Sequence, residues 1–279
     1  MRRLNVPVLI TALTIALVNP AITQAKNTEA VFAYLDVGQG NSELIKVKGN
    51  VTLIDTGKKW AYSKLQKQLS VNGVKKITTL VVSHPDADHM ESADKVISDY
   101  HVKKVIMPKI KAKTKCYRSL VSSIKKYKVR LVNPGIGSKI SLGNKCNGKI
   151  LSVDANPRDT NESSIVMRVT YGKRSFLYMG DATAKVENSI IKQKYPIASD
   201  VYLCSHHGAN TANGALFVKK VLASKYKITI ISVGNNGYGH PVKEVIKRLA
   251  KYSKHLYRTD RDGIVMLKTD GNKLMRVKS

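Results

Sequence analysis

Short apolar runs that end in turn residues dominate the first third of the chain. The runs VFAYL, ELIKV, VTLI and LVVS each lead into a turn rich in glycine, asparagine or charged residues. Runs of this length between turn signals are typical of β-strands. We therefore predict strands at 31–35, 43–47, 51–54 and 80–83.

Helical periodicity follows the fourth of these strands, at 91–100 and 114–127. In the second segment Tyr117, Leu120, Ile124 and Tyr127 recur at steps of three and four, which places them on one helix face. This spacing favours packing of both tyrosines against a core. The alternative is that the two rings stack on nucleic-acid bases.

The second half of the chain repeats the alternation of strands and helices. The pattern predicts strands at 164–170, 175–179, 200–204 and 227–233, helices at 182–192, 213–223 and 242–251, and a hairpin near 255–268. Strands that alternate with helices in both halves indicate a layered α/β domain with sheets inside and helices outside.

The first 25 residues have the pattern of an export signal. Arg2 and Arg3 precede an apolar run that ends near Asn19-Pro20, and Thr23-Gln24-Ala25 resembles a cleavage site. We expect a signal peptide at 1–25 and a mature domain at 26–279, with an uncleaved membrane anchor as the alternative. No second long apolar run follows, so we expect a secreted protein without an integral membrane segment.

The chain has three cysteines, none of them in Cys-x-x-Cys spacing. In an exported protein Cys116 could pair with Cys146. Cys204 lies in an apolar run, and we expect it to be a small buried hydrophobic residue.

The charge of the chain is strongly positive, with 48 Lys and Arg against 19 Asp and Glu and a formal net charge of +29. Between Asp99 and Asp154 the chain carries 14 basic residues and no acidic one. Such a chain should attract polyanions, namely nucleic acid, teichoic acid or an anionic membrane surface. The alternative is that the positive charge serves solubility or adapts the protein to a salty or anionic environment.

Scarce residue types are concentrated in HPDADH, residues 84–89. The segment follows a predicted strand, and catalytic groups are often carried on loops at strand ends. Alternate residues of an extended loop share a face, so His84, Asp86 and Asp88 can converge, while His89 can face a second point. Imidazole with carboxylate suits Zn, Mn or Fe, and two points of convergence suit a two-metal centre. The alternative is a helix start with Asp88 as its N-cap.

Three later strand ends also deliver histidine or aspartate into a turn. They are FLYMGD ending at Asp181, YLCSHHG with His206 and His207, and NGYGHP with His240. Five of the seven histidines lie in HPDADH and in these later motifs, which favours one shared site.

The order of these motifs resembles the metallo-β-lactamase fold. The resemblance is strongest to the extracellular hydrolase domain of the DNA-uptake competence protein ComEC and its free-standing exported relatives. It rests on LDVGQGNSELIKV, TLIDTG, SHPDADH, NESSIVMRVTYGKRSFLYMGD, DVYLCSHHGA, NGYGHP and YRTDRDG, which span about 30–265. It implies an αββα sandwich of two mixed sheets packed face to face, with helices outside.

The resemblance also implies a role for each motif residue. His84 and Asp86 would hold one metal ion, Asp88 and His89 the other, and Asp181 would bridge them. His240 would be the late ligand of the second ion. The pair His206-His207 would supply a proton donor or a substrate-binding group, and Asp88 or Asp181 would take the proton of the attacking water. The residues implied to shape the floor and hold the ligands are Asp36, Gln39 and Asp55.

The chain departs from the wider superfamily at two ligand positions. Asp86 and Asn161 stand where histidines are usual, and oxygen ligands shift preference towards Mn or Mg and away from tight Zn binding. Asn41 stands where the competence branch usually has aspartate. The loss of histidines and the lack of a cysteine ligand argue against a lactamase that hydrolyses antibiotics.

These features predict an exported hydrolase that uses one or two divalent ions (Mn, Zn or Mg). We expect a monomeric phosphodiesterase or nuclease that acts on DNA with little sequence specificity, held at the cell wall by charge or freely secreted. One alternative is a phosphodiesterase for teichoic-acid or phosphocholine esters. Another is a non-catalytic polyanion-binding protein with a degenerate site.

Overall fold

Two mixed β-sheets form the centre of the molecule. The structure is a computed structural model that describes residues 29–277. Within those residues the first sheet has eight strands in the order β15-β14-β1-β2-β3-β4-β5-β6. These strands are β1 (Ala30–Tyr34), β2 (Glu43–Val47), β3 (Asn50–Ile54), β4 (Thr79–Val81), β5 (Lys104–Ile106), β6 (Arg130–Val132), β14 (Val265–Thr269) and β15 (Leu274–Val277).

The second sheet has seven strands in the order β13-β12-β11-β10-β9-β8-β7 within the described residues. They are β7 (Lys139–Gly143), β8 (Cys146–Ser152), β9 (Val166–Tyr171), β10 (Arg174–Tyr178), β11 (Val201–Leu203), β12 (Ile228–Ile231) and β13 (His255–Arg258). In each sheet one half is antiparallel and the other half is parallel.

Helices cover the outer face of each sheet. They are α1 (Tyr62–Val71), α2 (Ala87–Met90), α3 (Ala93–Asp99), α4 (Lys115–Lys126), α5 (Ala184–Lys192), α6 (Ala215–Val221), α7 (Lys243–Tyr252) and α8 (Thr259–Asp262). Residues of α1 to α4 share one apolar cluster with the first sheet, and residues of α5 to α7 share another with the second. The predicted αββα sandwich is confirmed.

The core between the sheets holds alternate residues from both. Phe32 of β1 stacks on Phe176 of β10 with ring centroids 3.7 Å apart, and both side chains are fully buried. Offset stacking of two buried rings adds to the gain from burial alone. This contact fixes the two sheets face to face, so the loops at one edge of each sheet lie close together.

The parallel halves of the sheets place several strand ends at that shared edge. In the first sheet β3 and β4 run parallel, and in the second β10, β11 and β12 do. Carboxyl ends of parallel strands meet at one edge, which is where ligand sites of α/β folds are found. Each predicted motif therefore emerges at the same end of the sandwich.

Two expectations about local structure, a hairpin and the packing of a tyrosine, are not met. The predicted hairpin near 255–268 is wrong, because β13 pairs with β12 while β14 pairs with β1 in the other sheet. Tyr127 is 44 % exposed and so does not pack in the core, whereas Leu120 and Ile124 of the same helix do. Tyr127 follows the last residue of α4, where the helix face no longer meets the sheet.

All three cysteines are free, so the predicted pair of Cys116 and Cys146 is not formed. Cys116 packs on the outer side of the first sheet, while Cys146 is buried between the two sheets. The first sheet itself separates the two thiols. Cys204 is buried in the outer cluster of the second sheet.

Within residues 29–277, no helix combines the length and apolar composition needed to cross a membrane. The predicted signal peptide at 1–25 lies outside the described residues.

Candidate metal centre

The HPDADH segment leaves β4 and turns into the short helix α2. His84 and His89 are fully buried, with ring centroids 4.1 Å apart. Asp86 occupies the N-cap position of α2, but its side chain makes no capping hydrogen bond. Its Oδ2 instead lies 3.7 Å from Nε2 of His84. A helix does start here, but Asp86 and not the predicted Asp88 takes the N-cap position, and both carboxylates lie near histidines.

Asp181 lies at the centre of the cluster. It follows β10, is 3 % exposed, and its backbone N–H donates to Ser164 Oγ over 3.0 Å. Its carboxylate oxygens are near four imidazole Nε2 atoms, at 3.2 Å from His89, 3.5 Å from His206, 3.6 Å from His207 and 3.9 Å from His84. The single carboxylate of Asp181 therefore lies close to imidazoles on both sides of it.

The two adjacent histidines after β11 both adopt left-handed backbone conformations, with φ of 49° at His206 and 52° at His207. Such conformations are unfavourable for residues other than glycine and are found at functional sites. They turn His207 inward, where Nδ1 lies 2.8 Å from the carbonyl oxygen of Ser232 and Nε2 lies 3.2 Å from Asp88 Oδ2. His206 is more exposed and contacts Thr211.

His240 lies at the margin of this cluster. Its ring centroid is 5.4 Å from that of His206 and 5.9 Å from that of the exposed Tyr238. Its backbone N–H donates to Asn236 Oδ1 over 3.1 Å. His240 therefore lies beside the outer histidine of the pair.

Two groups of side chains in the described part of the chain could each hold a cation. One joins His84, His89 and Asp181, and the other joins Asp88, His89 and His207, with ligand atoms within 4.8 Å of one another. The structure thus places His207 in a ligand group, whereas the resemblance implied His240 for that role. Asp86 approaches the first group through His84.

The donor atoms of the cluster fit a metal ion chemically. The Nε2 atoms of His84, His89 and His207 and Oδ1 of Asp181 are buried and lack a hydrogen-bond partner of good geometry. Buried polar atoms are normally paired, so each unpaired atom requires a reason. Imidazole nitrogen and carboxylate oxygen are ligands for Zn, Mn and Fe. The side-chain oxygen of Asn161 is also buried and unpaired.

Hydrogen bonds behind the cluster set the tautomers of two histidines. Asp55 Oδ2 lies 2.7 Å from Nδ1 of His89, and the Ser232 carbonyl faces Nδ1 of His207. Because both partners accept, Nδ1 donates in each ring and the neutral imidazole presents a lone pair on Nε2. Partners of this kind orient metal-binding histidines. Asp55 therefore orients the ring of His89.

The loop after β1 closes the floor beneath Asp88. Asn41 donates its backbone N–H to Asp88 O over 3.1 Å, so it acts there through its backbone. A Cβ on Gly40 would lie 2.3 Å from the same oxygen, and Gly40 has φ of 141°, which together exclude a side chain. Gln39 accepts from Gly234 N over 3.4 Å and joins this loop to the one carrying His240.

Asp36 has a different environment from the other predicted floor residues. Its carboxylate accepts from Gly38 N over 3.1 Å and forms an ion pair with Lys64 of α1 at 2.5 Å. It therefore fixes the start of the loop against a helix, away from the ligand atoms.

The charges of the cluster reinforce one another. Burial alone would raise the pKa values of Asp181 and Asp88, but the neighbouring histidines outweigh it and hold both pKa values below their usual range. Burial likewise opposes the charged form of His89 and His207, but the carboxylates around them raise both pKa values. For His206 and His240 burial prevails and lowers the pKa.

Sequence reasoning did not assign several supporting residues. Ser83 donates its N–H and hydroxyl to Asp55 at 2.7 Å each and also contacts both nearby imidazoles. Asn213, with φ of 63°, bonds both backbone groups of Ser205 and so holds the turn with the two histidines. Ser83 directly precedes the HPDADH motif, and Asn213-Gly214 is a turn signal. The local sequence could therefore have indicated both residues.

Comparison with known proteins agrees with the topology. A model of the metallo-β-lactamase superfamily matches residues 35–142. The solved structure of the metallo-β-lactamase fold protein YhfI from Bacillus subtilis covers 86 % of this chain and 100 % of its own, with a TM-score of 0.58 at 11 % identity. The chain has the metallo-β-lactamase fold.

Among curated proteins, the chain is similar to Competence protein ComA of Neisseria gonorrhoeae, at 27 % identity over 238 residues, covering 84 % of this chain and 32 % of that one. It is 27 % identical over 260 residues to ComE operon protein 3 of Bacillus subtilis, covering 86 % of this chain and 33 % of that one. It is 28 % identical over 237 residues to Recombination protein 2 of Haemophilus influenzae, covering 83 % of this chain and 28 % of that one. The chain thus spans about a third of the length of these relatives.

Proposed function

We propose that the protein is a metal-dependent phosphodiesterase that cleaves nucleic acid, DNA in particular, with little sequence specificity. The observation that carries the proposal is the buried set of unpaired imidazole nitrogens around Asp181 in a strongly basic chain. A relative named for recombination supports nucleic acid as the substrate class. Divalent ions bound there would supply Lewis acidity and a water of lowered pKa.

The side chains divide into two ligand groups around a shared carboxylate. His84, with Asp86 beside it, would hold one ion, and Asp88 with His207 would hold the other. His89 belongs to both groups, and Asp181 lies within 3.9 Å of Nε2 of His84 and 3.6 Å of Nε2 of His207. Asp181 would bridge the two groups, and Asp88 or Asp181 would accept the proton of the attacking water.

His206 and His240 remain for proton transfer at the open side of the cluster. Their rings lie 5.4 Å apart, and burial lowers both pKa values, so both rings are neutral at pH 7. The negative charge of a bound phosphodiester would raise the pKa of His206, and the imidazolium so formed could donate its proton to the leaving oxygen. We assign His206 as the candidate proton donor to the leaving oxygen and His240 as a substrate-positioning group.

The charge of the protein supports a polymeric phosphodiester. A net +29 chain concentrates a polyanion at its surface, and no base-reading module was found in the sequence. Binding through phosphates is strongly weakened by salt and indifferent to sequence.

Plasmid and linear DNA incubated with Mn, Mg or Zn, or with chelator, test the proposal. The wild type should nick DNA only with metal, and Asp88→Ala and His84→Ala should lose the activity. Glu244→Gln, which changes an exposed carboxylate of α7, is the matched control and should keep it. Equal nicking by wild type and the two site variants, or none under any metal, would overturn the nuclease function.

The same experiment separates the two alternatives. Turnover of a small chromogenic phosphodiester without cleavage of DNA would favour an ester of teichoic acid or phosphocholine as substrate. DNA binding that survives alanine at Asp88 and Asp181, without turnover under any metal, would favour a polyanion-binding protein.

Export is the second part of the proposal. We assign residues 1–25 as a signal peptide and 26–279 as a secreted, monomeric hydrolase domain retained at the wall by charge. N-terminal sequencing of the protein recovered from culture medium and from salt-washed cells should begin at Lys26. Recovery only from the cytosol, with Met1 intact, would contradict it.

A further inference from the structure

A groove lies beside the candidate metal centre, on the side of α4. Two hollows of about 650 Å³ and about 710 Å³ share Lys111, Tyr117 and Val121, and are therefore continuous. We call their combined lining, drawn from 107–125, 131–133 and 155–160, the α4 groove. Each hollow has the size of an ordinary ligand pocket.

One end of the α4 groove reaches the candidate metal centre. Thr160 lines the first hollow, and its side chain helps to hold the pKa of Asp86 below the usual range. Asp86 in turn lies 3.7 Å from His84 Nε2. A polymer lying in the groove would therefore pass its backbone directly to the buried histidines.

The rim of the α4 groove is cationic. No acidic residue of the described chain lines either hollow, although Glu162 contacts the backbone of the Arg158 segment. The cations that line the groove are exposed side chains, and one of them, Arg118, donates to the Lys113 carbonyl over 2.7 Å. They are Lys109, Lys111, Lys113, Arg118, Lys125 and Arg158.

The floor of the α4 groove is apolar and includes a fixed aromatic ring. Met107, Val121 and the 44 % exposed Leu131 line it, together with Tyr117. The Tyr117 hydroxyl donates to the Ile110 carbonyl over 2.9 Å, which holds the ring in place. An aromatic and aliphatic floor between cations offers a surface for base faces as well as for phosphates.

We propose that the α4 groove binds an unpaired segment of nucleic acid and leads it to the metal centre. A duplex keeps its base faces stacked inside and presents phosphates and base edges outside, so its faces could not stack on the floor. A single strand offers bases to the floor and phosphates to the rim, so it matches both features of the groove. This inference deepens the proposed function and rests on it for the delivery of the strand, but not for binding.

Binding is measured without metal, so that it is independent of turnover. Fluorescence anisotropy of a labelled oligothymidylate, with chelator present, should show tighter binding than for a duplex of the same length. Tyr117→Leu should weaken oligothymidylate binding about ten-fold, the loss expected for one stacked base. Circular dichroism checks that this variant remains folded.

A charge variant provides a second and independent measurement. Lys111→Gln combined with Lys125→Gln removes two rim cations and should make the slope of log K against log salt less steep by about 1.4 for a single strand. The matched control removes two exposed lysines on the opposite helical layer, Lys219→Gln with Lys247→Gln, and should change the slope less.

Equal affinity for single strand and duplex would overturn the inference. So would failure of the wild type to bind the oligonucleotide, or equal effects of the groove and control variants. None of these results depends on cleavage, whereas failure of the proposed function would appear as absent turnover with intact binding.

Discussion

The carboxylate of Asp55 lies 2.7 Å from Nδ1 of His89, and both side chains are fully buried. Asp55 also accepts from the N–H and hydroxyl of Ser83, and its own backbone has φ of 58°. The three hydrogen bonds fix the carboxylate, and the carboxylate fixes the ring. His89 thus presents Nε2 to Asp181 at 3.2 Å with little freedom to turn away.

Asp55→Asn should weaken metal binding about 10–100-fold, because a ligand that loses its supporting partner is less basic and less well oriented. Affinity is measured by competition with a chromogenic chelator. Asp36→Asn is the control, since Asp36 contacts Gly38 and Lys64 instead of a candidate ligand. Equal effects of the two substitutions would contradict the support of His89 by Asp55.

His207→Ala should reduce metal binding, whereas His240→Ala should reduce turnover. His207 belongs to a ligand group with Asp88 and His89, and its Nε2 is buried and unpaired, so its loss should reduce the metal content or sharply weaken one site. His240 lies outside both groups, so its loss should lower nuclease turnover while the metal content stays. Metal analysis after gel filtration, paired with turnover, distinguishes them. Loss of metal from the His240 variant alone would reverse the assignment.

Much of the fold and the place of the site can be predicted from local sequence patterns. Apolar runs with turn residues locate β1 to β4 and β9 to β12, because both signals lie within a few residues of each strand. The order of motifs then locates the site at the strand ends, since parallel strands share their carboxyl edge.

Features set by distant contacts could not be predicted in this way. Strands β5 to β8 lie in the lysine-rich segment, where exposed lysines obscure the alternation of residues, and β13 and β14 separate into two sheets that only tertiary pairing distinguishes. Which histidine of the later motifs turns inward depends on left-handed backbone at His206 and His207. That conformation is imposed by Asn213 and Ser232 from other loops.

Asn213 substitutions should separate hydrogen bonding from backbone strain. Asn213→Gly keeps the left-handed conformation but leaves the Tyr202 hydroxyl and Ser205 N–H without their acceptor, which should cost about 1–3 kcal/mol. Asn213→Ala should lose about a further 1 kcal/mol or more, because alanine disfavours this backbone. Urea unfolding measures both. Equal free energies for the two variants would show that the backbone carries no strain.

Glu187 should give the protein a measurable pH dependence of stability. Burial raises the pKa of Glu187 to about 7 from its usual 4.5, although the N–H groups of Gly214 and Asn213 oppose the shift. The folded state therefore binds a proton that the unfolded state has released between these values, so the contribution of Glu187 to stability is complete below pH 4.5 and is lost as pH rises through 7.

Glu187→Gln should flatten the fall in unfolding free energy between pH 5 and 7, by an amount on the order of 3 kcal/mol. Urea titrations at several pH values measure the slope. Glu244→Gln, at an exposed site on another helix, should leave it as in the wild type. An unchanged slope in Glu187→Gln would show that Glu187 is charged throughout this range.

Asp86 should control which metal the protein prefers. Its carboxylate lies 3.7 Å from Nε2 of His84, with 37 % of the side chain exposed. Oxygen ligands favour Mn and Mg, whereas imidazole favours Zn. The wild type should therefore be more active with Mn than with Zn, and Asp86→His should raise the ratio of Zn to Mn affinity. Metal competition followed by DNA nicking with each ion tests both.

Asp86→Asn keeps an oxygen and should lower affinity for both ions, leaving the ratio of Zn to Mn affinity closer to that of the wild type. A wild type that already binds Zn as tightly as Asp86→His would show that this oxygen does not set the choice.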